Sequence, residues 1–259
     1  MIPIYKWGGG KRKEINLFKS FYPETFNLYA EPFFGAGAVF FDLNFNNNII
    51  NDIHKGNTNF LNEIKKGNGK EIYSLMEKYK NEEDTYYFVR DEFKPQNETE
   101  EAFVFYYQRK TAFRGMLRYN KKGKFNIPFG RYKTINYEDL LDVEYEKLLK
   151  NTEIYCEDYN YIFNNYNDTN NFFFLDPPYD SVFTDYGYCS FDKENHKDLF
   201  YRFITTKNKC LLIIGETDFI SNLYKDFIVG AYDKKYAFKL YAGRIDDSIN
   251  TRHLIIKNY

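Results

Sequence analysis

The sequence predicts a doubly wound α/β domain whose sheet is interrupted by a helical segment, on three observations. A glycine-containing turn follows an apolar run near the N-terminus, and further strand-like runs return after residue 150. The stretch between them is polar, rich in Tyr and helical in its periodicity. The 259 residues suit one large domain with an insertion, and the 21% aromatic content excludes a disordered chain.

The first part of the domain, residues 1–56, has a β-turn-α-β pattern. Residues 27–34 are apolar and aromatic and run into Gly35-Ala36-Gly37, which predicts a strand, a tight turn and a helix over residues 38–43. Residues 48–53 predict a second strand that ends near Asp52. This order of elements is typical of the start of a doubly wound sheet.

Residues 57–150 predict a helical insertion that carries a basic patch. The predicted helices span residues 57–66, 70–80, 85–93, 99–114 and 137–149, with Thr99 as the N-cap of the fourth. Nine basic residues and no Asp or Glu lie between Arg109 and Lys133, although the whole chain has 36 basic and 37 acidic residues. A local basic patch in a nearly neutral chain favours a polyanionic partner such as nucleic acid.

Residues 151–259 return to alternating strands and helices and complete the predicted sheet. The strand-like runs are residues 152–156, 172–175, 209–214, 227–232, 236–240 and 253–257, and the helical runs are residues 193–205 and 218–226. Residues 160–171 are rich in Asn and predict a loop with a short helix.

Hydropathy and cysteine usage limit the class of protein. No apolar run approaches the roughly 18 residues of a membrane span, and the charged N-terminus lacks the apolar core of a signal peptide. Cys156, Cys189 and Cys210 have no paired spacing, so we expect reduced thiols in a cytoplasmic protein. Three scattered His and no Cys-x-x-Cys pair predict that no metal is bound.

The sequence Asp176-Pro177-Pro178-Tyr179 directly follows the apolar run at residues 172–175. Ligands of open parallel sheets bind at the carboxyl ends of strands. Consecutive prolines stiffen the backbone and present the carbonyl between Asp176 and Pro178 in one direction. A carboxylate, a fixed carbonyl and an aromatic face together favour binding of a planar heterocycle through its exocyclic amine, whereas the structural alternative is a simple diproline turn.

The glycine turn favours a nucleoside ligand without phosphates. Gly35 and Gly37 allow a close approach of backbone to ligand, but Phe40 stands where a dinucleotide fingerprint has its third glycine. Asp52, at the end of the second predicted strand, is suited to accept hydrogen bonds from ribose hydroxyls. The N-terminal sequence Lys6-Trp7-Gly8-Gly9-Gly10-Lys11 is either a flexible tail or a loop that covers a small ligand with Trp7 and supplies Lys11 as a cation.

These three motifs, in this order, resemble the Dam-like DNA adenine-N6 methyltransferases, which use S-adenosylmethionine. Arg118-Tyr119-Asn120 and the sequence FNIPFGRYK at residues 125–133 strengthen the resemblance, which extends from Lys6 to about Asp218. It implies a Rossmann-like class I methyltransferase sheet in two parts, residues 1–56 and 151–259, with a helical DNA-recognition domain at residues 57–150 between them. The implied enzyme acts on double-stranded DNA, without a metal, as a monomer or weak dimer in a bacterial, phage or viral-host compartment.

The resemblance also implies roles for individual residues. The family's catalytic tetrad matches Asp176, Pro177, Pro178 and Tyr179. Its methyl-donor pocket matches Trp7, Lys11, Phe33, Gly35, Gly37, Asp52, Asp158, Tyr159 and Asp176. Its DNA-contacting residues match Phe113, Arg114, Met116, Arg118, Asn120, Lys124, Pro128 and Arg131. In such a run an aromatic ring wedges into the duplex, an arginine reads guanine and apolar groups contact thymine methyls. The resemblance therefore implies a short recognition site, GATC, in which the target adenine is flipped out of the helix.

Three positions depart from the family pattern, and three alternatives remain open. Members that read GATC tend to have Tyr-Asn or Phe-Asn where this chain has Phe113-Arg114. In the family generally, the strand after the Asp-Pro-Pro-Tyr motif usually ends in Ser-Asn, here Gly215-Glu216, and the C-terminal strand often has Glu where His253 stands. The alternatives are a cytosine-N4 methyltransferase, a methyltransferase for RNA or protein glutamine, and a catalytically silent DNA-binding module. The first more often has Ser in place of Asp176, and the basic patch disfavours the second. The intact Asp-Pro-Pro-Tyr sequence disfavours the third, which methyl incorporation from a labelled donor would exclude.

Overall fold

The computed structural model describes residues 1–180, 191–236 and 249–259. Within these residues seven strands form one sheet in the order β3-β2-β1-β4-β5-β7-β6. The strands are β1 (Leu28–Glu31), β2 (Asn48–Asn51), β3 (Thr152–Tyr155), β4 (Asn171–Leu175), β5 (Lys209–Gly215), β6 (Ile228–Tyr236) and β7 (Ile249–Lys257). The first five are parallel and β7 runs antiparallel to both β5 and β6, so the sheet is mixed but mostly parallel.

The α-helices of the described residues follow the predicted order closely. They are α1 (Ile15–Phe18), α2 (Ala38–Leu43), α3 (Lys55–Lys65), α4 (Gly69–Lys78), α5 (Glu83–Asp91), α6 (Glu98–Thr111), α7 (Val143–Lys150), α8 (Tyr159–Asn165), α9 (Lys193–Thr205) and α10 (Asp218–Leu223). Helices α3 to α7 lie between β2 and β3 in the sequence, where the helical insertion is predicted. None of the helices in the described ranges is long and apolar enough to cross a membrane.

The central strands bury both of their faces, which explains their unbroken apolar runs. Phe172 and Phe174 of β4 pack into one hydrophobic cluster, and Phe173 and Leu175 pack into a second cluster on the opposite face of the sheet. This alternation follows the two-residue period of a strand. The first cluster continues into the helices between β2 and β3 through Phe60 and its neighbours, so the insertion shares a core with the sheet.

Several predicted element boundaries differ from the structure, and two of them concern α6. The N-cap of α6 is Asn97, whose side chain accepts a hydrogen bond from the backbone N–H of Glu100, whereas Thr99 is buried and donates to Glu63. Helix α6 ends at Thr111 because the following chain pairs with the FNIPFG stretch: the Phe113 N–H donates to the Pro128 carbonyl.

The other differences concern α7 and β6. The helix predicted at residues 137–149 is a 3₁₀ turn at Glu138–Leu141 followed by α7, since the Asp142 side chain caps a new helix by accepting from the Glu144 N–H. The strand predicted at residues 227–232 extends further, as β6, to Tyr236, and the strand predicted at residues 236–240 lies beyond Tyr236 outside the described part of the chain.

Candidate active site at the carboxyl edge of the sheet

A cavity of about 1380 Å³ lies at the carboxyl ends of the parallel strands. The N-terminal segment covers it, and the turns that follow β1, β2, β4 and β5 form its walls. All residues predicted for the donor pocket and the catalytic tetrad line it, namely Trp7, Lys11, Phe33, Gly35, Gly37, Asp52, Asp158, Tyr159, Asp176, Pro177, Pro178 and Tyr179. The structure therefore brings together residues that are up to 172 positions apart in the sequence, from Trp7 to Tyr179.

Lys11 and Asp176, which both line the cavity, form an ion pair. The Lys11 Nζ lies 2.6 Å and 2.7 Å from the two carboxylate oxygens of Asp176, and it also donates to the Gly9 carbonyl at 2.9 Å. The Lys11 side chain is only 2% exposed, whereas that of Asp176 is 22% exposed. Burial raises the pKa of Asp176 above its usual range, and the nearby Lys11 opposes that shift.

The Tyr179 ring lies against this pair. The Lys11 Nζ is 5.0 Å from the ring centroid, within the range of a cation–π contact. His253 of β7 packs against the Tyr179 ring in a T-shaped arrangement, with the centroids 5.3 Å apart. A Cβ atom at Gly215 would come within 3.1 Å of the Tyr179 ring, so a side chain here would require a small shift of that ring.

Next to the site, His253 is held by a buried carboxylate, Glu14. It accepts hydrogen bonds from the Tyr232 hydroxyl at 2.9 Å, from His253 Nδ1 at 2.9 Å and from Lys234. Burial alone would raise the pKa of Glu14, but these hydrogen bonds lower it to about 2. The sequence did not single out Glu14, because its partners are more than 200 residues away and no local pattern marks it.

The glycine turn needs both of its glycines. Gly35 and Gly37 have φ angles of +54° and +68°, in the left-handed region that side chains rarely adopt. A Cβ at Gly37 would lie 2.2 Å from the Phe34 ring, and a Cβ at Gly35 would lie 3.0 Å from the Trp7 ring. The Trp7 indole thus rests directly on the turn, as expected for a cover over this part of the cavity.

Asp52 ties the glycine turn to the start of α3. Its carboxylate accepts the backbone N–H groups of Gly35 at 2.8 Å and His54 at 2.9 Å, and the side-chain amide of Asn57 at 3.0 Å. Burial raises the pKa of Asp52 to about 6, although these hydrogen bonds oppose the shift. A carboxylate has about four acceptor positions, so three protein donors leave room for one further hydroxyl.

One side of the cavity, next to α9, is formed by Phe33, Asp158 and Tyr159. The Phe33 ring packs on Tyr159 with centroids 5.0 Å apart, and the Tyr159 hydroxyl donates to Asp198 of α9 at 2.8 Å. The Asp158 side chain caps α8 by accepting the backbone N–H of Asn160. Tyr159 and Asp158 therefore have structural partners in addition to their position on the cavity wall.

The predicted DNA-contacting residues lie on and beside a hairpin next to the cavity. In this basic hairpin, residues 112–131, Ala112 pairs with Phe129 and Tyr119 with Phe125 in antiparallel bridges. Phe113 is half-buried, Met116 lines the cavity with 42% of its surface exposed, and the other predicted contacts are exposed: Arg114, Arg118, Asn120, Lys124, Pro128 and Arg131. Arg114 has a φ of +56°, a left-handed conformation at the entry to the hairpin.

Several of these polar side chains already have protein partners. Asn120 accepts the backbone N–H groups of Lys122 and Lys124 and so shapes the hairpin turn. Arg118 donates to Asn126 at 2.9 Å, and Arg131 pairs with Glu83 at 2.8 Å.

Two members of the basic patch are not on its surface. Arg109 is 2% exposed and donates to the carbonyls of Gly115 and Met116, so it holds the base of the hairpin. Lys110 is largely buried and lies 3.8 Å from Asp139, and burial lowers its pKa to about 8. Residue type alone could not separate these two from the exposed cations.

A mostly parallel seven-stranded sheet, with a glycine turn and an Asp-Pro-Pro-Tyr sequence at adjacent strand ends, is consistent with a class I methyltransferase. A family model for the D12 class of N6 adenine-specific DNA methyltransferases matches residues 7–240. The chain therefore belongs to this family, the one its sequence motifs resemble, and is an adenine-specific DNA methyltransferase.

Individual relatives agree with this assignment. The chain is 52% identical over 261 residues to the type II methyltransferase M.CviBI of Paramecium bursaria Chlorella virus NC1A, with both chains fully covered. It is 33% identical over 290 residues to the type II methyltransferase M.MjaIII of Methanocaldococcus jannaschii, with 99% of each chain covered. Its identity to the DNA adenine methylase of Escherichia coli K12 is 32% over 203 residues, which is 75% of this chain and 72% of that enzyme.

The family implies S-adenosylmethionine as methyl donor and DNA as substrate. The cavity is compatible with such a donor: it is lined by the aromatic rings of Trp7 and Phe33, and by Asp52 beside a turn whose two glycines have no side chains. Its volume exceeds the roughly 300–1,000 Å³ of a typical site for one small ligand, so a second group has room beside the donor.

Proposed function

We propose that this enzyme transfers a methyl group from S-adenosylmethionine to adenine N6 in a short duplex site, GATC, after the adenine has flipped out of the helix. Type II methyltransferases among its relatives favour the same class of enzyme for this chain. The proposed organisation is a catalytic domain of residues 1–56 and 151–259, a DNA-recognition insertion of residues 57–150, and a monomer or weak dimer in solution. The observation that carries the proposal is the Lys11–Asp176 pair in a cavity that the basic hairpin borders.

The proposed donor subsite lies around the glycine turn. Trp7 and Phe33 supply apolar faces, Gly35 and Gly37 allow backbone to approach, and Asp52 offers its remaining acceptor position to a ribose hydroxyl. Bound S-adenosylmethionine supplies a methyl group already activated on a sulfonium sulfur. The remaining task of the protein is to hold the acceptor amine in line with that methyl and to exclude water.

The proposed acceptor subsite lies at Asp176–Tyr179. The Asp176 carboxylate and the Pro177 carbonyl would each accept one N–H of the adenine amine, and the Tyr179 ring would stack on the base. In the structure Lys11 occupies both oxygens of Asp176, so the amine must share the carboxylate with Lys11 or displace it. The same carboxylate can take the proton that N6 loses when it becomes methylated.

The basic hairpin is proposed to read the duplex. Arg118 would pair with a guanine and Met116 and Pro128 would contact a thymine methyl, the pairings that base-edge chemistry favours. Phe113 would fill the gap left by the flipped adenine, whose extrusion costs a few kcal/mol. Lys124 and Arg131 would bind phosphates, with Arg131 released from Glu83, and Arg114 is available for a further guanine or phosphate.

The test is methylation of DNA that carries no prior methyl groups. The purified protein is incubated with radiolabelled S-adenosylmethionine and plasmid from a methylation-deficient host, and modified bases are then mapped by long-read sequencing. We expect N6-methyladenine at every copy of one short sequence, and a strong loss of transfer in Asp176→Ala. Duplexes with each base of GATC substituted, and one with a base pair inserted at the centre, test the proposed site. Label at cytosine, or no label at all, would contradict the function.

A further inference from the structure

His54 joins the basic hairpin to the glycine turn at Gly35 and Gly37, which we call the donor turn below. No sequence motif predicts this contact. Its Nδ1 accepts the backbone N–H of Asn57 at 3.1 Å, and it thereby caps α3. Its Nε2 lies 2.7 Å from the hydroxyl of Tyr119 in the hairpin. Because Nδ1 is an acceptor in a neutral ring, Nε2 carries the proton and donates to Tyr119. Burial lowers the pKa of His54 to about 4, which keeps the ring neutral at pH 7.

The backbone of His54 reaches the opposite side. Its N–H donates to Asp52, whose other carboxylate oxygen accepts the Gly35 N–H. Asn57, the residue capped by the His54 ring, donates to Asp52 and, at 2.7 Å, to the Gly35 carbonyl. The ring of Trp7, which covers the turn, packs edge-on against the His54 ring with centroids 5.9 Å apart. The hairpin and the donor turn are therefore joined by a short chain of hydrogen bonds.

We propose that His54 is a positioning residue through which the basic hairpin and the donor turn are coupled, so that bound duplex DNA and bound donor raise each other's affinity. The inference rests on the proposed function, in which the hairpin holds DNA and the Asp52 turn holds the donor. DNA that fixes the hairpin also fixes the Tyr119 hydroxyl, and through His54 it fixes the position of Asp52. A coupling of this kind is a free energy shared between two sites, so it must act equally in both directions.

Two conservative substitutions isolate the contact. Asn is a favoured N-cap residue, so His54→Asn can still cap α3 and keeps the backbone bond to Asp52, but it loses the bond to Tyr119. Tyr119→Phe removes only the hydroxyl. The control is Tyr86→Phe. The Tyr86 hydroxyl of α5 also holds the hairpin, by donating to the Ile127 carbonyl, but it does not contact His54 or the donor turn through this bond. Thermal melting confirms that each variant is folded.

The measurement is the affinity for S-adenosylhomocysteine, a non-reactive probe, with and without a saturating duplex that carries the site found by methylation mapping. In the wild-type protein we expect DNA to tighten this affinity by about five-fold or more. His54→Asn, Tyr119→Phe and the double variant should each reduce the ratio to about one, without an additional loss in the double variant. Tyr86→Phe should keep the wild-type ratio, and DNA affinity should show the same ratios with and without the probe.

Each outcome decides the proposal. Wild-type protein that methylates DNA but has no coupling overturns the inference and leaves the proposed function intact. Coupling that survives in Tyr119→Phe or His54→Asn, or that is lost equally in Tyr86→Phe, also overturns it, because the Tyr119–His54 bond would then not be the connection. A wild-type protein that methylates no DNA overturns the proposed function and this inference with it.

Discussion

Lys11 is buried to an extent that lysines reach only when they are paired, and its partner is the carboxylate proposed to hold the reacting amine. At 2.6 Å and 2.7 Å from the two oxygens, the ammonium favours the ionised form of a carboxyl whose pKa burial raises. An ionised Asp176 only accepts hydrogen bonds, whereas a protonated one would offer a donor to the amine. Lys11 thus keeps the acceptor subsite in the form that the proposed reaction needs.

At the same scale, we expect Asp176→Ala to lower the turnover number by roughly 10²–10³-fold or more, the usual effect of removing a group that acts on the transition state. Donor affinity should fall much less, since the glycine turn and Asp52 remain. Methyl incorporation at saturating donor and calorimetric titration of the donor separate the two effects. Asp226→Ala, an exposed site, is the control. A variant with near-normal turnover would show that this carboxylate does not contact the reacting amine.

Asp52 has two possible contributions to donor binding, one direct and one through the turn. We expect Asp52→Ala to weaken donor binding by about 1–3 kcal/mol, because ribose hydroxyls lose a charged acceptor and the Gly35 N–H loses its partner. Asn57→Ala removes one donor to Asp52 but leaves the carboxylate, so it should cost less. Calorimetry on the DNA-free proteins compares them. Equal losses would mean that Asp52 acts only by holding the turn.

At the scale of elements, the basic hairpin divides its cations by their surroundings. Arg118 is oriented by its hydrogen bond to Asn126, whereas Lys124 has an exposed side chain near the hairpin turn. An oriented guanidinium suits bidentate pairing with guanine, and a mobile ammonium suits phosphate. This difference gives each side chain a distinct expected signature in DNA binding.

We therefore expect Arg118→Ala to cost about 1–3 kcal/mol on the preferred site and to relax the preference at one base pair. Lys124→Ala should weaken all sequences alike and reduce the salt dependence by about one unit of slope. Binding to singly substituted duplexes at two salt concentrations distinguishes the roles. If Arg118→Ala weakens every duplex equally, Arg118 binds a phosphate and the guanine assignment is wrong.

The sequence predicts those elements whose signals are local. The apolar run of β4, the glycine turn and the Asp-Pro-Pro-Tyr sequence are each contained within a few residues, and their relative positions follow from the rule for parallel sheets. The bonds of His54 to Tyr119 and of Glu14 to His253 join residues 65 and 239 positions apart. Such polar pairs have no periodicity, and only the folded chain brings them together. The burial of Arg109 is likewise a tertiary property that residue type does not reveal.

At the scale of the whole molecule, carboxylates accumulate at one edge of the sheet. Glu31, Asp52 and Asp176 all lie at or just beyond strand ends on the cavity, and burial raises the pKa of each. Groups with raised pKa values lower the stability of the fold as they ionise. A binding site of this kind therefore has a cost in folding stability at neutral and alkaline pH.

Glu31 allows that cost to be measured. It accepts hydrogen bonds from the Tyr29 hydroxyl and the Phe40 N–H, and burial raises its pKa from 4.5 to about 8. Between these values the folded state holds a proton that the unfolded chain has lost, so the free energy of unfolding falls as pH rises. Glu31→Gln keeps an acceptor oxygen but cannot ionise. From pH 5 to pH 8 we expect the wild-type protein to lose more stability than Glu31→Gln, by on the order of 1–4 kcal/mol. Urea unfolding of both proteins at several pH values measures this difference.

Two other carboxyl groups do not contribute to the difference between the two proteins. Asp52 titrates in both of them, and Glu14, whose pKa is about 2, titrates below this range. Parallel stability curves would contradict the assignment of Glu31 as a buried, protonated carboxyl.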